Sequence, residues 1–239
     1  MIHFLFDVDG TLTPSRQPID PQFQSFFQKF VEENKVSLVT GSDLSKTKEQ
    51  LGCMIPGMVE YCFNCSGNDV YSGPKNVYTN DWTLPKDAEE WLAGFLKESK
   101  FVLRTGLHFE HRPGMCNFSI VGRNATLGER KLYVKYDEET NERNKIARML
   151  VERFKYIDAV VGGETGIDIF PRGKDKAQVL SWIKEEQIFF FGDRCEPGGN
   201  DYPIANILKR KPGNKVYHVS DWRDTRLILL DSRLTNQQL

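Results

Sequence analysis

The stretch that most constrains this chain is His3-Phe4-Leu5-Phe6-Asp7-Val8-Asp9-Gly10-Thr11, an apolar run that stops at two carboxylates, a glycine and a hydroxyl. Read as a strand, it sends Asp7 and Asp9 off its end on one side while Val8 points away. Gly10 then permits a sharp turn. Two carboxylates this close repel each other unless a cation or a shared proton intervenes, and a divalent metal is the usual remedy. Taken alone, the same residues also describe a capped strand followed by a polar turn. The rest of the chain decides between the two.

Asp20-Pro21 opens a helix on which Phe23, Phe26, Phe27, Phe30 and Val31 recur at the three-and-four spacing of an apolar face. A short strand over 36–39 ends at Thr40-Gly41-Ser42-Asp43, where a second helix begins with Ser42 or Asp43 as its cap and Gly52 as its stop. Hydroxyls and free N–H groups at such a junction can bind phosphate, and a plain helix cap explains Ser42 equally well. Strand, helix, strand, helix is the rhythm of a parallel sheet. Residues 61–78 read as short strands and turns, and 80–85 as a link.

Beyond the link the rhythm changes. The pattern predicts a helix over 86–97, strands at 101–103, 107–111 and 115–121, a charged helix over 139–154, and strands at 159–161 and 166–170. Helices mixed with mostly antiparallel strands make an α+β module. The parallel rhythm resumes at Gly173 with a helix through 184, a strand at 188–191, a helix at 202–209, a strand at 216–219 and a last helix from Arg223. The expected architecture is therefore an α/β parallel-sheet core built discontinuously from 1–79 and 173–239, with an α+β cap inserted over 80–172. A chain of 239 residues can bury such a core and a smaller module beside it.

A net charge of −1 gives no general reason to expect nucleic acid or an anionic membrane as partner, and no membrane-spanning run is visible. The five cysteines are an odd count without regular spacing, and the N-terminus lacks the features of a signal peptide, so a reducing, cytoplasmic setting is expected. No second Cys-x-x-Cys answers Cys62-x-x-Cys65, and core cysteines are the better reading.

A second acidic strand end follows the apolar run at 188–191: Gly192-Asp193, then Gly198-Gly199-Asn200-Asp201. Sites in open α/β sheets lie at the carboxyl ends of the strands, so the tips carrying Asp7, Thr40 and Asp193 can converge. A Mg²⁺ ion held by one or two carboxylates, with phosphate oxygens and waters, would suit them and would reduce the repulsion between an anionic nucleophile and a phosphoryl dianion. Lys176, at the mouth of the same sheet, could neutralise both as a point charge. Within the insert, Arg112, Arg123 and Arg130 fall in nineteen residues and can form a phosphate clamp, since guanidinium forks bind phosphate bidentately. An inward-facing Asp168 could bond sugar hydroxyls.

These pieces, in this order, resemble the haloacid dehalogenase superfamily: Asp-x-Asp-Gly-Thr, a hydroxyl after the second strand, a lysine, and Gly-Asp-x4-Gly-Gly-Asn-Asp. The resemblance implies a Rossmannoid core, with Asp7 as the nucleophile that becomes an aspartyl-phosphate and Asp9 as the acid/base. It also implies that Thr40 or Ser42 holds phosphate, that Lys176 orders the nucleophile, and that Asp193 binds Mg²⁺ with Asp7 and the backbone carbonyl of Asp9. Asn200 and Asp201 would support that loop.

Within the superfamily, His111-Arg112-Pro113-Gly114-Met115-Cys116-Asn117-Phe118-Ser119-Ile120-Val121-Gly122-Arg123 is similar to the cap motif of the eukaryotic-type phosphomannomutases, as are Asp168-Ile169-Phe170-Pro171 and Pro197-Gly198-Gly199-Asn200-Asp201. By this resemblance Arg16, Arg112, Arg123, Arg130 and Asp168 would bind a phosphohexose, a mannose or glucose 1,6-bisphosphate would prime the enzyme, and the cap would form a homodimer. The chain departs from the family pattern at Gly166-Ile167-Asp168, Gly173-Lys174-Asp175-Lys176 and Thr40-Gly41-Ser42-Asp43. None of these changes removes a catalytic group. A sugar-phosphate phosphatase with the same core, and an inactive phosphosugar-binding protein, stand as alternatives.

Overall fold

The computed structural model describes residues 2–185 and 187–231. They fall into two units: the described residues of Met1–Thr79, Lys176–Pro197 and Asp201–Leu239 form one, and Asn80–Asp175 with Gly198–Asn200 the other.

The first unit is an α/β layer structure on a seven-stranded sheet. Its strands are β1 (Ile2–Asp7), β2 (Lys35–Val39), β3 (Tyr61–Asn64), β4 (Asp69–Ser72), β5 (Lys75–Thr79), β10 (Gln187–Gly192) and β11 (Lys215–His218), the intervening numbers belonging to the second unit. The order is β11-β10-β1-β2-β3-β4-β5, parallel from β11 through β3 and antiparallel in the two added strands. The central strands are apolar on both faces, as strands covered on both sides must be. From β1, Phe4 and Phe6 enter one core with Phe189 and Phe191, while Leu5 enters the other with Phe190.

Helix α1 (Pro21–Glu33) covers the first face with Phe23, Phe27, Phe30 and Val31, and its N-cap is Asp20, whose carboxylate accepts from the amides of Gln22 and Phe23. Phe27 meets Phe6 edge-on at 5.1 Å between ring centroids, and Phe6 stacks on Phe191 at 4.7 Å. Helix α2 (Leu44–Leu51) is capped by Asp43, not Ser42, and ends at Gly52 with φ +78. A short α3 (Ile55–Met58) precedes β3. The second face is covered by α7 (Tyr202–Leu208) and by the segment after Lys176. That segment is shorter than the expected helix: it is a three-ten helix, Lys176–Ser181, with Lys176 and Val179 as its buried positions, three residues apart as a three-residue turn requires. The last helix is α8 (Trp222–Leu230).

The second unit holds a four-stranded antiparallel sheet in the order β6-β7-β9-β8, from β6 (Phe109–Arg112), β7 (Met115–Phe118), β8 (Ile157–Gly162) and β9 (Gly166–Pro171). Its helices are α4 (Lys86–Glu98), α5 (Leu127–Thr140) and α6 (Glu142–Arg153). Cys116, Phe118, Ile167 and Ile169 pack with Leu92, Tyr133, Ile146 and Leu150. The alternate residues Asn117 and Asp168 therefore share the other face.

Two expectations fail in this unit. Residues 101–103 form no strand, because the Arg104 guanidinium gathers the carbonyls of Leu96, Ser99, Phe101 and Leu103, which a ladder would have needed. Helix α5 has no counterpart in the expected pattern, because its buried stripe is Arg130, Tyr133 and Asp137 and carries no apolar period. Thr126-x-x-Glu129, a complete capping box, was the available signal for it.

Candidate active site

Asp7 closes β1 directly beside Val39, the last residue of β2, and Phe6 lies opposite Phe191 of β10. In-register parallel pairing therefore brings the three strand ends together, with Thr40 and Asp193 just past theirs. The carboxylates of Asp7, Asp193 and Asp201 each offer an oxygen within 4.8 Å of the others, the one such group among the described residues. Lys176 Nζ donates to Asp7 Oδ1 at 2.5 Å and to Asp201 Oδ1 at 2.8 Å, and all three of these side chains are buried. Thr11 Oγ1 donates to Asp7 Oδ2 at 3.1 Å, so both Asp7 carboxylate oxygens are held.

One ammonium does not balance three carboxylates. Burial and the Asp201 charge push Asp7 well above the usual carboxylate range, although Lys176 opposes this. Asp193 is pushed up to about 6 by burial and by Asp201. The guanidinium of Arg194 stands 3.9 Å from Asp193 and is itself only half-buried. Burial alone would lower Lys176, but Asp201 and Asp7 outweigh it and keep the lysine charged. Three oxygen ligands in one place with surplus negative charge are the donor set of a hard divalent cation, so the residues present fit Mg²⁺. Gly10, at φ +83, is needed here because a Cβ on it would come within 2.4 Å of Asp193 Oδ2.

The other expected residues fall as follows. Asp9 is outside the acidic trio: its Oδ1 accepts from the Arg16 amide at 2.6 Å and from Gln50 Nε2 at 3.0 Å. Arg16 thus contributes its main chain, in a left-handed conformation with φ 58. Thr40 is buried and its Oγ1 accepts from the Ser42 amide at 3.1 Å. Asp201 supplies an oxygen to the trio and accepts from the Arg194 amide at 3.2 Å. Asn200 keeps a buried Oδ1 with no partner among the described residues.

In the second unit Asn117 Nδ2 donates to Asp168 Oδ1 at 2.6 Å. Arg112 and Arg123 both pair with Glu110, and Arg130 pairs with Glu164. Sequence reasoning missed Gln50 and Glu164, since nothing in the spacing of a polar residue announces a partner 41 or 34 positions away, and Glu110, whose arginine partners lie only two and thirteen positions on but were read for phosphate alone. Cys62, Cys65, Cys116 and Cys195 are buried, and burial raises the Cys62 thiol to about 12. No helix among the described residues is long and apolar enough to cross a membrane.

A family model described as eukaryotic phosphomannomutase matches residues 23–231. The match takes in Thr40 through Asp201 and begins after Asp7. A phosphomannomutase of Arabidopsis thaliana is 34% identical, over 86% of this chain and 87% of its own length. One of Drosophila melanogaster is 34% identical over 96% and 94%, and one of Galdieria sulphuraria 38% over 84% and 83%. Among solved structures, a sugar phosphatase of HAD subclass IIB aligns over 100% of this chain and 99% of its own with a TM-score of 0.59 and 14% identity. The C-terminal domain of the C. albicans trehalose-6-phosphate phosphatase aligns over 87% and 74%, with a TM-score of 0.59 and 15% identity. At those identities the likeness shows the HAD fold.

Proposed function

The chain belongs to the eukaryotic phosphomannomutase family, and from that premise we propose that it interconverts mannose 6-phosphate and mannose 1-phosphate through an aspartyl-phosphate on Asp7. The observation that carries this reading is the cluster of Asp7, Asp193 and Asp201, with the buried Lys176 paired to Asp7 and Asp201, at the carboxyl ends of the strands.

In the first half-reaction an Asp7 oxygen attacks phosphorus of a hexose 1,6-bisphosphate. The Asp7 O–P bond forms, the P–O bond to the sugar breaks, and the departing oxygen takes a proton from Asp9. In the second half-reaction Asp9 removes the proton of the free hydroxyl on the monophosphate. That oxygen attacks the same phosphorus, and the Asp7 carboxylate leaves. Lys176 and Thr11 fix the two oxygens of Asp7, which presents the nucleophile in one orientation. Arg112, Arg123 and Arg130 bind the phosphate that the sugar keeps, and Asp168 takes a sugar hydroxyl. Asp7, Asp193 and the main chain of Asp9, beside Asp201, would hold Mg²⁺, which when bound would supply positive charge against the repulsion between nucleophile and phosphoryl group. We extend the reading to a cytoplasmic enzyme that dimerises through the 80–172 segment, which sedimentation velocity tests.

The deciding experiment incubates the protein and Mg²⁺ with mannose 1-phosphate, with and without a trace of glucose or mannose 1,6-bisphosphate. Activator-dependent mannose 6-phosphate is the expected product. Stoichiometric inorganic phosphate with no isomer would replace the mutase reading by a sugar-phosphate phosphatase.

A further inference from the structure

Arg112, Arg123 and Arg130 of the second unit share one arrangement: each is held at its Nε by a carboxylate. Arg112 donates Nε at 3.1 Å and Nη2 at 3.0 Å to Glu110 Oε1, and Arg123 donates its Nε to Glu110 Oε2. Arg130 donates Nε at 2.9 Å and Nη2 at 2.7 Å to Glu164 Oε2. Two hydrogen bonds at one edge fix the plane of a guanidinium and the direction of its far edge. For Arg130 the result is visible: the residue is 4% exposed, and its Nη1 is buried with no partner among the described residues. A buried N–H left unbonded is costly, so this edge is complete only when an acceptor meets it, and a guanidinium charge favours an anionic one.

The carboxylates are themselves held. Glu110 and Arg112 are two apart on β6 and so share a face of the sheet. Burial alone would raise the Glu110 carboxyl, but the two guanidiniums bring it below its ordinary value and it stays charged. Glu164 lies in the turn between β8 and β9, where Arg143 Nη1 donates to the Gly163 carbonyl at 3.2 Å. Arg143 is anchored in turn by Asp137 at 2.8 Å. At Glu110 two guanidinium charges face one carboxylate and leave one positive charge over, the sign a phosphate dianion needs.

We infer that Glu110 and Glu164 are positioning residues of a phosphate clamp: they hold the arginines by their Nε edges and leave the opposite edge of Arg130 for the phosphoryl oxygens. This rests on the phosphosugar reading of the arginines. The opposite role is that of internal competitors, carboxylates that a phosphate must displace, and the two roles differ in sign.

The test measures sulfate binding by calorimetry, and KM and kcat with mannose 1-phosphate, on the full chain. If the carboxylates position the arginines, Glu110→Ala and Glu164→Ala weaken sulfate binding and raise KM about tenfold, with kcat changed less than about twofold. Glu110→Gln and Glu164→Gln keep an acceptor oxygen and recover most of that loss. Glu164→Asp keeps the charge but not the reach, folds without a buried gap, and is expected to weaken sulfate binding as well. Tighter sulfate binding by the alanine and glutamine variants would make the carboxylates competitors and overturn the inference, as would parental binding by Glu164→Asp. Parental sulfate binding and KM in Arg130→Ala would instead remove the clamp itself, a separate failure.

Discussion

The acidic centre at the strand ends and the arginine cluster of the second unit are opposite solutions to one electrostatic problem. In the first, three carboxylates gather about one ammonium, which pairs with two of them; in the second, Arg112 and Arg123 share Glu110 while Arg130 takes Glu164. The acids respond accordingly. Asp7 and Asp193 are pushed up, while Glu110 is pulled down. Each site is internally paired yet carries a remainder, and the sign of the remainder states the sign of the missing ligand: a cation in one, an anion in the other.

The most severe way to break the contrast is Asp7→Asn, which removes the proposed nucleophile and leaves Lys176 paired with Asp201. Turnover should fall by on the order of 10⁴-fold or more with an unchanged circular dichroism spectrum, measured as mannose 6-phosphate formed. Next in size is Lys176→Met. It leaves three acids without their buried counter-charge and should cost about 3–5 kcal/mol in urea unfolding without metal, part of which added Mg²⁺ returns.

Arg112→Ala acts on the other side of the comparison. Losing one charge-assisted contact to the dianion should raise KM about tenfold or more, with a smaller change in kcat, in steady-state assays.

The smallest effect, and the one that sharpens the contrast most, is in pH. Asp7 and Asp193 keep protons in the native state that the unfolded chain has already lost. In Mg²⁺-free buffer stability should therefore rise as pH falls from about 7 toward about 4. Mg²⁺ affinity should decline, by up to about tenfold per unit, below the Asp193 value of about 6. Sulfate binding to the arginine cluster should stay flat over the same range, since Glu110 is held ionised. Calorimetric titrations at a series of pH values compare the two directly.

Much of this was legible in the chain. The Phe23–Phe27–Phe30 stripe announced α1, and the abrupt endings at Asp7, Thr40 and Asp193 marked the site, because a parallel sheet puts its strand ends in one place. Helix α5 escaped because it buries Arg130, Tyr133 and Asp137 where an apolar stripe was sought. The strand expected at 101–103 was lost to Arg104, a single side chain that claimed its carbonyls. Gln50 beside Asp9 left no trace in any periodicity, being one polar residue on a helix of polar residues.

The sequence by itself determined which groups could do chemistry and which strands would present them, because side-chain alternation and strand endings are local properties of the backbone. Charge balance is not local. Lys176 meets Asp7 across 169 positions, and Arg130 meets Glu164 across 34. Only the tertiary structure could decide that one lysine serves two aspartates, that Asp201 is within reach of Asp7 and Asp193, and that Arg112, Arg123 and Arg130 are each already held by a carboxylate.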